Sequence, residues 1–410
     1  MKRLKRIFSN KVFYVFLIFI VAFFPSAIYL GAEIGSTAVG VMIGIDKVEE
    51  GVEVSILELI PEKSGKNIKL SAVKEEDFSE AIEKLSFELG KKVGLAHCQA
   101  VVLGDEIMYE NIVFILDYFM RANNLSSNAL IINSETTARE LFEAIEESSQ
   151  DIALTLQDRV AFDNKYLFSA EMNLETFFKD YLSDSNSLLM PIVSIEDSES
   201  SSSSGGGGSD SEDSGSSSSS SSGESSTKKK LRCEGRAAIV KKGIKVREPS
   251  KEELDGYNYL GKNVEEGNIH ISNVTDENFT NGDLDFQIFN KDVSKKVKFD
   301  GENPYCEIKV DFVLKLSKAS SETYNTQSLD STKQYVTPEV KQKIEEEVGG
   351  CISLVLSEIK ANNTDTLYIA RDFNRFQHSK WKKYLSNLEN EDEYLQGIDF
   401  RVSLEIEGKL

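Results

Sequence analysis

The sharpest local arrangement for chemistry is His97 beside Cys98, because an imidazole that takes a thiol proton produces a thiolate nucleophile. Neighbouring side chains on an extended segment point to opposite faces, however, so the pair reads as packing. The three histidines, His97, His270 and His378, fall on separate predicted elements, which leaves little for a metal site or a Ser-His-Asp arrangement. Glu75-Glu76 and Glu345-Glu346-Glu347 read as solvated faces, since acid–base work needs a desolvation that runs of like charge rarely supply. Cys98, Cys233, Cys306 and Cys351 have no C-x-x-C or zinc spacing, and buried thiols and one or two disulfides stay open as alternatives. Trp381 stands in Ser-Lys-Trp-Lys-Lys-Tyr, an interleaving that a membrane surface or nucleic acid would use. The simpler reading is a helix that buries Trp381 and Leu385 and leaves its lysines in water. No dinucleotide, P-loop, metalloprotease, hydrolase-elbow or kinase motif stands in its required context. No catalytic residue, cofactor or metal is expected.

The elements that would position these residues alternate. Residues 38–46 place Val39, Val41, Ile43 and Ile45 on one strand face, and 51–60 follow as a hairpin partner. Asp77 and Glu80 open a helix to about Gly90, with Phe78, Ala81, Ile82, Leu85 and Leu89 sharing a face. A strand at 96–103, a helix at 107–121, a strand at 125–132 and a helix opened by Thr137 and Glu140 complete the first half. The second half reads as a hairpin at 237–246 and a helix capped by Ser250 and Glu253. Strands follow at 268–274, 285–289, 296–299 and 306–316. Thr337-Pro338 starts a long helix whose face is Val340, Ile344, Val348, Cys351, Ile352, Val355 and Ile359, and a last strand covers 398–406. The class is α+β.

Two segments lie outside this pattern. Residues 12–32 carry no charge and, at about 20 residues, are long enough to cross a hydrocarbon core, with Val12, Ile18, Ile20, Phe23 and Leu30 among the anchoring side chains. Five bases precede them and place the N-terminus in the cytoplasm and the bulk of the chain outside. A cleaved signal is the alternative, but no convincing small-x-small site occurs around 26–32, which favours an uncleaved anchor. Residues 197–227 are almost wholly Ser, Gly, Asp and Glu, a composition with nothing to bury, and read as a disordered linker. The expected organisation is therefore an N-terminal transmembrane helix followed by two or three mixed α/β domains. Residues 1–33 are tail and anchor, 34–196 the first domain, 197–227 the linker and 228–410 a second region, with a division near 295 as the alternative. Net charge is −21, about −26 once the basic tail is set aside, which argues against nucleic acid as a partner.

Four stretches in this order resemble the Ger(x)C family, the C subunits of spore germination receptors. They are Gly-Val-Met-Ile-Gly-Ile-Asp at 40–46 and 96–104 with His-Cys-Gln at its heart. The third is 235–262 with Gly-Arg-Ala-Ala-Ile-Val and Ser-Lys-Glu-Glu-Leu, and the fourth is 336–410 with Thr-Pro-Glu-Val, Asp372-Phe373 and Lys380-Trp381-Lys382. The resemblance implies a non-catalytic subunit at the spore inner membrane, working with membrane-embedded A and B subunits and the lipid bilayer in nutrient-triggered germination. An anchored envelope structural protein and a cell-surface hydrolase are the rival classes. The chain departs from the family at 29–34, where a lipobox cysteine is usual and this sequence has none before Cys98. The serine linker is a second departure.

Overall fold

The computed structural model describes residues 37–60, 68–121, 125–147, 172–197, 229–232, 235–261, 267–276, 278–320 and 335–409. In chain order these form β1 (Thr37–Lys47), β2 (Val52–Leu59), β3 (Ile68–Glu75), α1 (Phe78–Leu89), β4 (Lys92–Gly94) and β5 (Ala100–Leu103). A 3-10 turn at Glu106–Tyr109 leads to α2 (Val113–Arg121), β6 (Leu130–Ser134), α3 (Ala138–Glu147), α4 (Leu174–Tyr181) and β7 (Ser187–Asp197). Then come β8 (Lys229–Arg232), β9 (Ala237–Lys241), β10 (Ile244–Arg247), α5 (Lys251–Leu260), β11 (Asn268–Val274), β12 (Gly282–Asp300) and β13 (Asn303–Ser320). Helices α6 (Pro338–Ala361), α7 (Ile369–Phe376) and α8 (His378–Ser386), a 3-10 turn at Glu391–Gly397 and β14 (Asp399–Gly408) complete it. The class is α+β, built on two sheets.

The first sheet runs β10-β9-β7-β6-β5-β1-β2-β3, with β4 beside the start of β1 and β8 beside the end of β7. Strands β1, β5, β6 and β7 are parallel, flanked by antiparallel β2–β3 and β9–β10. Being buried on both faces, β5 is a continuous apolar run and β6 is one through Ile132. Helices α1, α2 and α4 cover one face over Ile43, Ile45, Val101 and Met190, and α3 covers part of the other over Met42, Val102 and Ile132. The rest of that second face, Leu189, Ala237 and Ile239, belongs to the core of the second sheet.

The second sheet, β11-β12-β13-β14, packs one face on α6 and its neighbours. Its other face is solvated and laced with charge pairs such as Lys298–Glu307 at 2.6 Å and Lys309–Glu405 at 2.8 Å. The expected face of α6 is buried residue for residue, and Thr337 caps it through Val340 N–H. Helix α5 crosses it at Gly256, where an added Cβ would strike the Cys351 carbonyl. Its capping box of Ser250 and Glu253 is formed.

Several expectations are corrected. Residues 107–121 are not one helix, because Ile112 N–H is taken by the Gly243 carbonyl at 3.1 Å and Asn111 caps α2 at Val113 N–H. The strand expected at 125–132 begins at Leu130, after a turn closed by Ala129 N–H on the Ser126 carbonyl. The strands expected at 285–289 and 296–299 are one 19-residue strand, whose charged middle lies across from Ile308–Val313 after a register shift at Asn290. Strands β8, β9 and β10 complete the first sheet, with Ser187–Pro191 of β7 paired to Ala237–Lys241 of β9, since a buried strand must satisfy both rows of backbone groups. The expected linker and the expected anchor at Val12, Ile18, Ile20, Phe23 and Leu30 lie outside the described residues. Among the described residues no helix is long and apolar enough to cross a membrane.

A chain cut at a protease site engineered into residues 205–208 should therefore keep both pieces together through gel filtration, separating only in denaturant. Separation under native conditions would show that the β7–β9 pairing does not hold the halves.

Candidate functional site

Ligands of open parallel sheets bind outside the carboxyl ends of the strands. At that end β1 closes with Asp46-Lys47, β5 is followed by Gly104-Asp105, and β6 ends in Asn133-Ser134. Asp46 is buried, and its carboxylate accepts from Ala138 N–H at 2.6 Å and Arg139 N–H at 3.0 Å, so it caps α3 from across the sheet. Burial pushes its carboxyl up to about 6; the two backbone N–H groups oppose this, and Glu53 and Glu140 add to it. The neighbouring glycines follow from the same contact. A Cβ on Gly104 would be driven into Asp46 Oδ1, and one on Gly44 would sit 2.8 Å from the Ala138 methyl.

Beside Asp46, β10 sends in Lys245, with Ile244 and Val246 left partly exposed. The buried Lys245 ammonium donates to Asp105 at 2.5 Å, Glu248 at 2.8 Å and Asn133 Oδ1 at 3.2 Å. Burial alone would lower its pKa, but Asp105 and Glu248 outweigh that and hold it above the usual lysine value. Arg236 bridges Glu135 at 2.6 Å and Glu248 at 2.8 Å. Donors and acceptors in this cluster answer one another, so the place where such a sheet would hold a ligand is filled by its own side chains.

A second buried polar cluster joins the two sheets. Asp365, fully buried, accepts from Ile369 and Ala370 N–H at 2.8 Å each, from Ser185 Oγ at 2.7 Å and from the Tyr394 hydroxyl at 2.8 Å. It thus caps α7 and holds the turn before β7. Tyr368 has a left-handed backbone (φ 57°), and its hydroxyl donates to Asp180 Oδ2 at 2.7 Å while Arg371 lies 4.1 Å over its ring. Burial raises the Asp180 pKa against the Tyr368 hydrogen bond and Arg371. Asn374 to Asp184 at 2.7 Å and Lys242 to Asp392 at 2.7 Å extend the seam.

The residues singled out from sequence do not converge. His97 is exposed in a turn ahead of β5, not on a strand, and Cys98 is buried with its thiol toward the Ala100 carbonyl at 3.3 Å. Burial pushes that thiol up to about 12, the reverse of an activated nucleophile. Cys306 and Cys351 are also free and buried, raised to about 12 and about 11 by the same cause, and Cys233 lies outside the described residues. His270 pairs with Asp285 on the solvated sheet face at 2.7 Å, and His378 with Asn374. Trp381 is buried, stacked on Phe373 at 4.7 Å and on Tyr384 at 5.4 Å, with Leu385 packed alongside. Glu346 and Glu347 face solvent. Among the described residues no group of three or more His, Cys, Asp or Glu could hold a metal. Sequence reasoning missed Asp365, Tyr368 and Lys245. Lys245 stood as a lone charge in a short strand, and Asp365 and Tyr368 fall in a polar connection between two helices that carries no signal of burial.

This fold, with a mixed sheet and a long-armed antiparallel hairpin joined by buried polar seams, is matched along most of the chain by two family descriptions. Residues 32–195 match "Spore germination protein N-terminal domain" and residues 234–407 match "Spore germination B3/ GerAC like, C-terminal". The chain belongs to this spore germination family, the Ger(x)C proteins. Among solved structures, the crystal structure of the GerBC protein aligns at 13% identity with a TM-score of 0.49, over 89% of this chain and 96% of that one. No curated protein matches the chain.

Two predictions follow from the seams. Because the Asp46 pKa lies above its ordinary value of 3.8, its contribution is full below about pH 4 and lost as pH rises through about 6. The stability of wild type relative to Asp46→Asn should therefore be greater at pH 4 than at pH 7.5 by about 2–3 kcal/mol in urea unfolding. Asp365→Ala leaves two backbone N–H groups and two hydroxyls without their acceptor and should cost about 3 kcal/mol or more. Its amide exchange should quicken first at Ile369 and Ala370.

Proposed function

We propose that this protein is a non-catalytic, membrane-anchored subunit of a spore germinant receptor, which supports nutrient-triggered germination by assembling with the membrane-embedded A and B subunits. The observation that carries the reading is the match of both halves to the spore germination family, over residues 32–195 and 234–407. Among the described residues, the clusters at the carboxyl end of the first sheet are committed to holding the fold, which fits this reading. Asp46 caps a helix, Lys245 is enclosed by three partners, and the Cys98 thiol is held in its protonated form.

In the absence of a lipobox cysteine, attachment rests on the 12–32 segment, which anchors far more firmly than a single acyl chain. Full-length protein in spore membranes should resist carbonate and require detergent, and a tagged copy should carry polytopic partners through affinity purification. Recovery without partners, from spores whose germination is unaffected by deleting the gene, would refute the receptor assignment. Germination should survive His97→Ala unchanged. Cys98→Ala should lose only the modest stability of a small core truncation, on the order of 1 kcal/mol, with activity intact wherever protein levels are normal. Loss of activity in a fully folded Cys98→Ala protein would point to chemistry after all.

A further inference from the structure

The first sheet has two unlike ends. At the carboxyl ends of its parallel strands Glu49, Glu50, Glu76, Asp77 and Glu80 face solvent and outnumber the exposed Lys47 and Lys74. At the opposite end β1 begins, and Thr37 lies in register with Lys92 of β4. Strand β4 arrives there directly from α1, whose C-terminus turns on Gly90 in the left-handed conformation. That corner presents Phe87, 83% exposed on the last turn of α1, followed by Lys91 and Lys92, both exposed. Lys69 at the start of β3 is exposed on the same rim. The acids on this rim are Glu58, across from Lys69, with Glu88, Glu146 and Glu147, so three lysines face four acids on a chain whose net charge is −21.

Chain length fixes what lies near this rim. Four residues separate the end of the uncharged run at Ala32 from Thr37, and that stretch spans at most about 17 Å even when fully extended. An exposed aromatic beside lysines is the composition that settles at the level of lipid head groups, and lysines near an anionic surface each add attraction of short range. The acidic end points the other way, which an anionic surface also favours.

We propose that the rim of the first sheet where β1 begins, with Phe87, Lys91 and Lys92 at its corner, rests on the head-group layer of an anionic bilayer and sets the sheet upright on the membrane. This rests on the reading of residues 12–32 as a membrane span. The test uses the full chain, carrying Cys233→Ser, in nanodiscs containing phosphatidylglycerol, with a bimane label on Phe87→Cys or, at the far end, on Glu76→Cys. Quenching by head-group spin-labelled lipid should be several-fold stronger at position 87 than at 76. It should fall towards the level at 76 when Lys91→Glu and Lys92→Glu are added, with circular dichroism unchanged. Equal quenching at the two sites in protein that stays with the disc would overturn the rim's placement and leave the anchor standing. Protein that leaves the disc in carbonate would overturn both.

Discussion

The structure depends on the pairing of β7. One edge of this strand meets β6 in parallel at Ile192 and Val193, and the other meets β9 antiparallel along Ser187–Pro191. Its side chains alternate between two cores, Leu188 and Met190 into the one under α1, α2 and α4, and Leu189 into the one shared with α6. A strand in that position cannot lose either neighbour without stranding backbone donors and acceptors in an apolar interior. The turn before it is pinned by Ser185 to Asp365, so the same strand also fixes α7.

Much of this was legible in the sequence where one period ran undisturbed. The face of α6 was readable because seven apolar positions recur at helical spacing and a Thr-Pro start stands before them. The Ser250 capping box was readable for the same local reason. Trp381 was placed inward on its i, i+4 partner alone. What failed were boundaries set by distant partners. Nothing within 107–121 shows that Ile112 is held by Gly243, and β12 crosses a charged stretch because β13 offers a continuous ladder there. A serine-rich segment looks like a domain boundary, but composition says only that the segment itself buries nothing, not that its flanks are independent.

The polar residues illustrate the same limit from the other side. Asp46 closes a short family-like motif, and the sequence gives no sign that it reaches 92 positions on to cap a helix. The pattern Gly-x-Asp at 44–46 and the glycine at 104 become one feature only when the strands are laid side by side, since two of the three residues exist to let the third pass. Asp365 and Lys245 were unreadable, as a lone charge in a helix-rich or strand-like context resembles a surface residue until the fold covers it. Such groups carry little net stability but penalise every alternative packing that leaves them unpaired.

The pairing of β7 with β9 also dictates an order of assembly. Synthesis proceeds from the N-terminus, so β1 to β7 exist as chain some forty residues before β9 does, and during that interval the outer edge of β7 has no partner. Closing that gap later is cheap, because the entropy of loop closure grows only with the logarithm of loop length. The second sheet waits longer still. Strand β13 is completed only by β14, whose last residue is Gly408, and three helices must be made in between. The partners of the Asp365 seam are all made before β14, so the second sheet is the later of the two to be completed.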